Sequence, residues 1–158
     1  MFRTPHTLFR TLAIAEAGSW TLLIAGLILR ASLGWDLAVT LGGGIHGFVF
    51  LSYATTAVLV SKNQRWSPKA AALAIGSAVV PYATVPVERW LTRRGLLDGA
   101  WRRTATDDPR DRSWHDRLMR VVLTHPVLSG VVALAAVVVV YVVLLMLGSP
   151  LDAIRGEG

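Results

Sequence analysis

The sequence predicts an all-α, polytopic membrane protein: a bundle of four transmembrane helices, with a candidate short interfacial helix before the last. Three observations predict it. The chain of 158 residues is 53% apolar and only 16% charged, with mean hydropathy +0.51. Soluble domains carry about a quarter charged residues, so this chain has too few to cover a water-facing surface. The apolar residues also fall in blocks, at 12–29, 37–60, 70–87 and 121–147. Each is about 18 residues or longer, the length a helix needs to cross roughly 30 Å of hydrocarbon, and a soluble core helix seldom stays apolar on every face for so long. Finally, basic residues gather at the block ends: Arg3, Arg10, Arg30, Lys62, Arg65, Lys69, Arg89, Arg93 and Arg94. Cations there meet lipid phosphate. The net charge of +6 therefore points to a lipid bilayer as partner and away from nucleic acid.

Each element follows from local signals. After a polar start at 1–10, helix one runs over 11–29 and ends at Arg30. Ala15-Glu16-Ala17 has the small-x-small form of a signal cleavage site. The apolar run before it is about four residues, short of the 7–15 of a signal peptide, so helix one is expected in the mature protein. Gly34, Trp35 and Asp36 make a tight loop, with Trp35 suited to the interfacial aromatic belt. Helix two covers 37–60. Ser67-Pro68 then supplies a capping serine and a proline at the first helical position. Helix three is expected to reach Trp90, but Pro81 and Pro86 must bend or open it and free carbonyls that need partners. A stretch at 92–120 is dense in arginine and aspartate, with Asp108-Pro109 as a further cap signal. Within it, Trp114, Leu118 and Val121 share one helical face. That pattern fits a short interfacial helix or a solvated loop with a helical end. Helix four starts near His125-Pro126. The chain thus divides into a three-helix membrane part (1–91), the arginine/aspartate-rich loop (92–120) and the last helix with its tail (121–158).

Orientation depends on the third block. If all four blocks span, the first and third loops carry ten basic residues against six for the opposite side. The positive-inside rule then puts the third loop in the cytoplasm of a multi-pass plasma-membrane protein, with both termini outside. A re-entrant third block would instead leave nearly all arginines facing the cytoplasm.

The polar residues inside the apolar blocks are the candidates for chemistry. Glu16 shares a helix face with Ser19 and Trp20. A carboxylate in lipid costs roughly 2.5–3.5 kcal/mol on insertion scales, so Glu16 should face the bundle interior. There it is a neutral or paired residue holding helices together, or a proton, ion or ligand site. His46 lies between Gly43 and Gly47, a small-xxx-small pair that lets another helix approach closely. Phe50 and Tyr53 continue its face. One histidine makes neither a bis-histidine haem site nor a metal cluster, which need converging ligands. Glu88 and Arg89 close helix three: Arg89 is expected to snorkel, and Glu88 to pair with it or with an arginine across the interface. With no cysteine there are no disulfides and no thiolate chemistry. There is no phosphate-binding glycine loop, HExxH motif or nucleophile elbow. No catalytic residue, metal or cofactor is expected.

Glu16 with Ser19, Gly43-x-x-His46-Gly47-x-x-Phe50-x-x-Tyr53, Trp66-Ser67, Pro81 and Glu88-Arg89-Trp90-Leu91 follow in order over about 8–91. Together they resemble the small bacterial integral membrane proteins of the domain-of-unknown-function 3817 family. The sequence departs from that family's Pro-Leu-Lys-Tyr after helix one, with Leu29-Arg30-Ala31-Ser32, and adds the arginine-rich segment and helix four. The resemblance implies a membrane protein with no assigned activity. The functional expectation is a non-enzymatic assembly or accessory subunit, meeting a membrane partner or another copy of itself through the glycine face of helix two. The rival is a small transporter or channel subunit using Glu16 and His46 for protons or cations. A haem- or quinone-associated redox subunit ranks third.

Overall fold

The computed structural model describes residues 4–105 and 107–146, and everything regular among them is helical. Helix α1 spans Pro5–Leu33 and α2 spans Asp36–Asn63. Thr4 caps α1 by accepting the Thr7 N–H, and Pro5 follows at the first position, where its missing N–H costs nothing. Gly34 ends α1 in the left-handed conformation at φ 66°, which glycine adopts without strain. The two helices run antiparallel and touch most closely at glycines. A Cβ on Gly26 would lie 2.6 Å from the Ala38 carbonyl oxygen, and one on Gly42 would lie 2.6 Å from that of Leu22. Small residues permit this approach where no hydrophobic force drives helices together in lipid.

The third apolar block departs from the expected single helix. Helix α3 covers Pro68–Gly76, capped by Ser67 and prolonged by a 3-10 turn at Ser77–Val79; α4 covers Thr84–Arg93. Pro81 sits in the break. Val80 before it is extended, as a residue preceding proline must be, and Tyr82 turns the chain at φ 64°. Pro86 falls in the first turn of α4, where no N–H is needed. The two prolines therefore divide the block into a hairpin. Its ends meet: the Trp66 indole N–H, just before α3, donates to the Leu96 carbonyl just after α4, at 2.6 Å. Neither arm has the length to span. Among the described residues, three helices are long and apolar enough to cross a membrane: α1, α2 and the last helix, over Pro126–Val143.

Ala70, Ala74 and Ala78 recur every fourth residue along the α3 arm and are buried with Phe9, Tyr53, Ala57 and Val60. The ring of Phe9 packs on Tyr53 and edge-on against Trp66. After α4 the chain crosses the end of α2. A 3-10 turn covers Pro109–Arg112, and α5 covers Trp114–Thr124. Ser113, rather than Asp108, caps α5 by accepting the Asp116 N–H. Trp114, Leu118 and Val121 are all exposed on α5, while Asp116, Met119 and Leu123 face inward. Helix α6, Pro126–Met146, lies antiparallel against α2, its Tyr141 reaching Gly44 and Gly47.

An ion-pair cluster fastens the segment after α4 to the end of α2. Arg102 donates to the last carbonyls of α2, Lys62 and Asn63, and to the carboxylates of Asp111 and Asp116. Asp111, 3% exposed, also receives Arg65, which reaches Asp108 as well. Asn63 accepts the Arg102 N–H and donates to the Ala100 carbonyl. The Ser113 hydroxyl bonds the Asp116 carboxylate at 2.6 Å and, helped by the Arg102 charge, holds its pKa below the ordinary value of 3.8.

Candidate functional site

Helix α4 presents Thr84, Glu88 and Thr92, one per turn, to α1. At the outer end, Glu88 (5% exposed) lies 3.2 Å from His6 Nε2, and Thr92 bonds both. Two turns further in, the single Thr84 hydroxyl hydrogen faces two acceptors, the Ala13 carbonyl at 3.0 Å and Glu16 Oε2 at 2.7 Å. Glu16 is fully buried; its second oxygen and the Trp20 indole N–H one turn on are both outside strict hydrogen-bond geometry, and that indole is the donor nearest the carboxyl. Ser19 then links α1 to α2. Its hydroxyl donates to the Glu16 carbonyl at 2.7 Å and lies 2.9 Å from His46 Nδ1. Since that hydroxyl has one hydrogen, His46 Nδ1 is assigned as the donor to Ser19, which leaves Nε2 unprotonated in the neutral ring. The imidazole also lies against Trp20, with centroids 4.4 Å apart. At 1.5 Å per residue, Glu16 stands about 16 Å along α1 from Pro5, near the middle of a hydrocarbon core of about 30 Å.

The structure thus brings Glu16, Ser19 and His46 into one chain of contacts, with Glu16 and His46 connected through Ser19 rather than touching. Tyr53 stands apart from them. It is fully buried and donates to the Ala74 carbonyl at 2.9 Å, beside Ser77, and so ties α2 to α3. Glu88 pairs with His6 instead of an arginine, because Arg89 points outward and is exposed. Gly43 has only the Leu23 side chain near it, and Gly47 is covered by Tyr141. Among the described residues no group of three or more His, Asp or Glu converges as metal ligands would.

The family profile described as domain of unknown function (DUF3817) matches residues 6–93, more than half of the sequence. The chain belongs to the DUF3817 family. Two relatives agree. Over 91 residues it is 34% identical to a protein of Streptomyces coelicolor named as a membrane protein, covering 56% of this chain and 11% of the relative. Over 92 residues it is 29% identical to the uncharacterized membrane protein YdzA of Bacillus subtilis, covering 58% of this chain and 96% of the relative. The matched region is thus about a tenth of the first relative's length and nearly all of the second's. No solved structure matches the chain. The protein is accordingly a membrane protein of the DUF3817 family.

The DUF3817 match holds the whole polar chain from His6 to Thr92, whereas α5, α6 and Arg102 with its aspartate partners lie beyond it. Sequence reasoning passed over Thr84 and the close α1–α2 approaches at Gly26 and Gly42, and took His6 only for an interface residue. The four-residue recurrence Thr84-Glu88-Thr92 and the small-xxx-small pair Ala38-Gly42 were the signals that could have found them.

Proposed function

We propose that this protein is a non-enzymatic accessory module of the bacterial plasma membrane, with three spans and a hairpin, α3–α4, that enters and leaves through one face. Four spans would need residues 70–87 to cross straight through, whereas Trp66 and Leu96 meet. With the hairpin re-entrant, the N-terminal end of α1, the hairpin mouth and α5 share a side. Among the described residues, every lysine and arginine except Arg30 flanks that side. The positive-inside rule makes it cytoplasmic.

The observation that carries the accessory role is the hairpin tip. Val79, Val80 and Tyr82 are 67%, 56% and 45% exposed beside irregular backbone. The Tyr82 hydroxyl lies 3.3 Å from that of Thr21, about 24 Å along α1 from Pro5 and so, on this reading, still within a hydrocarbon core of about 30 Å. Non-helical backbone at that depth is tolerated only where protein or a water-filled cavity covers it. The glycine face of α2 is already occupied by α1 and α6, so the tip and the adjoining face of α1 form the docking surface. The size of the Streptomyces relative supports the same reading, since there the family unit is joined to a much longer chain. A photo-cross-linker placed at Val80 or Tyr82 in native membranes should give one discrete adduct with a larger membrane protein. Adducts to lipid alone would overturn the accessory role.

A second reading, proton handling, is favoured by the Glu16 carboxyl. Its second oxygen, and the one Thr84 hydrogen shared between two acceptors, would both be served by a proton on Glu16. Proton flux in liposomes that Glu16→Gln abolishes would support it; equal flux in wild type and variant would end it.

A further inference from the structure

The groove between α2 and α6 is apolar, open and unlike the rest of the surface at its mouth. Its outer part is a hollow of about 350 Å³ lined by Thr55, Leu59, Leu123, Pro126, Gly130 and Ala133. A second hollow of about 130 Å³ shares Thr55 and Ala133 with it and continues to Val140. From Pro126 to Val140 the groove follows α6 for about 21 Å. One leaflet of hydrocarbon is about 15 Å deep, half of roughly 30 Å. Trp101 and Arg103 form the rim at the end where α6 begins. Arg65, Arg102 and Arg120 nearby are all engaged by Asp108, Asp111 or Asp116. The exposed side chain of Arg103 has no ion-pair partner among the described residues. An apolar slot longer than one leaflet is deep, topped by an indole at the interface and a guanidinium without an ion-pair partner among the described residues, matches an acyl chain beneath a phosphate.

We propose that this groove binds one anionic glycerophospholipid, with an acyl chain along α6 and its phosphate at Arg103. The site lies outside the hairpin tip and is independent of any protein partner. Two kinds of variant separate its halves. Arg103→Gln removes the charge and leaves the slot. Gly130→Leu fills the slot, because a Cβ there has nothing within 4 Å and the side chain extends into open space; Ala133→Phe does the same from the next turn.

The test is native mass spectrometry of protein purified in mild detergent and re-supplied with phosphatidylglycerol or phosphatidylcholine. Wild type should retain one phosphatidylglycerol about fivefold more tightly than phosphatidylcholine, the factor expected of one interfacial cation. Arg103→Gln should bring the two lipids level. Gly130→Leu and Ala133→Phe should weaken both about tenfold or more while far-UV circular dichroism and elution volume stay as in wild type. Equal retention of the two lipids by wild type, an undiminished preference in Arg103→Gln, or wild-type retention in both slot-filling variants would overturn the proposal. If both slot-filling variants lose helicity, Arg103→Gln decides alone.

Discussion

Adding one methyl group to Gly42 tests how α1 and α2 are held together. A Cβ at that position meets the Leu22 carbonyl oxygen at 2.6 Å and the carbonyl carbon at 3.0 Å. Both are backbone atoms of a helix, so no side chain can swing aside. Restoring ordinary contact, at least 3.4 Å, needs the helix axes to part by about 0.8 Å along that line. Overpacking of this kind costs about 1–3 kcal/mol. The natural control is Gly43→Ala, one residue away, where the nearest atom is the end of the Leu23 side chain at 3.8 Å. Both changes gain the same helix propensity on replacing glycine, about 0.5–1 kcal/mol, so that contribution cancels between them. Gly42→Ala should therefore be less stable than Gly43→Ala by about 1–3 kcal/mol, a ratio of roughly 5 to 150 in the unfolding constant. The same argument covers Gly26→Ala, whose Cβ meets the Ala38 carbonyl. Because Gly26 and Gly42 lie along one contact, the double variant should cost less than the two singles together: helices already displaced have room for the second methyl. Reversible unfolding in mixed micelles, titrated with denaturing detergent and followed by circular dichroism, measures all four. Equal stability of Gly42→Ala and Gly43→Ala would refute the close approach.

Other perturbations reach the remaining contacts. Thr84→Val removes the hydroxyl bond to Glu16 Oε2 in a buried setting and should cost about 1–2 kcal/mol in the same assay; no change would mean that another donor serves Glu16. Trp66→Phe keeps the ring against Phe9 but loses the bond to Leu96. It should cost about 1 kcal/mol and speed amide exchange at 96–98, whereas unchanged exchange would show that the hairpin mouth is closed by packing alone. Arg102→Gln should release α5. In the cysteine-free background, a Met119→Cys thiol, buried in the parent, should then react at least tenfold faster with a water-soluble maleimide. The Asp116 carboxyl gives a pH signature. Its folded pKa is lowered, chiefly by Ser113, so the stabilisation is fully present above the ordinary value of 3.8 and is lost as pH falls through the folded value. Unfolding measured from pH 6 down to 3 should show an acid limb that Ser113→Ala flattens; matching limbs would remove Asp116 as its source.

The long helices were legible because their signal is additive. Every residue of α1, α2 and α6 contributes to hydropathy, and local caps such as Ser67-Pro68 are readable one residue at a time. The hairpin was half legible. Pro81 and Pro86 announced a break, but hydropathy weighs a hairpin and a span alike, and what tells them apart is Trp66 meeting Leu96 across thirty residues of sequence. The polar site shows the same boundary. Glu16 and His46 stood out because their types are costly in lipid, whereas Thr84 is ordinary there and matters only through what it faces. Glu88 went to His6 because that choice rests on which helix packs beside α4, information held by α1 and absent from the neighbourhood of Glu88. Gly43 and Gly47 were singled out, whereas Gly42 makes the close approach to α1: helical rotation decides which of Gly42, Gly43 and Gly44 touches which neighbour.

The bond between His6 and Thr92 has an architectural consequence. These residues stand at the two edges of the DUF3817 match, so the unit starts and finishes at neighbouring points. On the proposed topology, two crossings plus a dip that returns leave sidedness unaltered for whatever is attached before or after. Such a cassette would join another membrane protein without inverting it, and a crossing α6 would end that neutrality by adding one more passage.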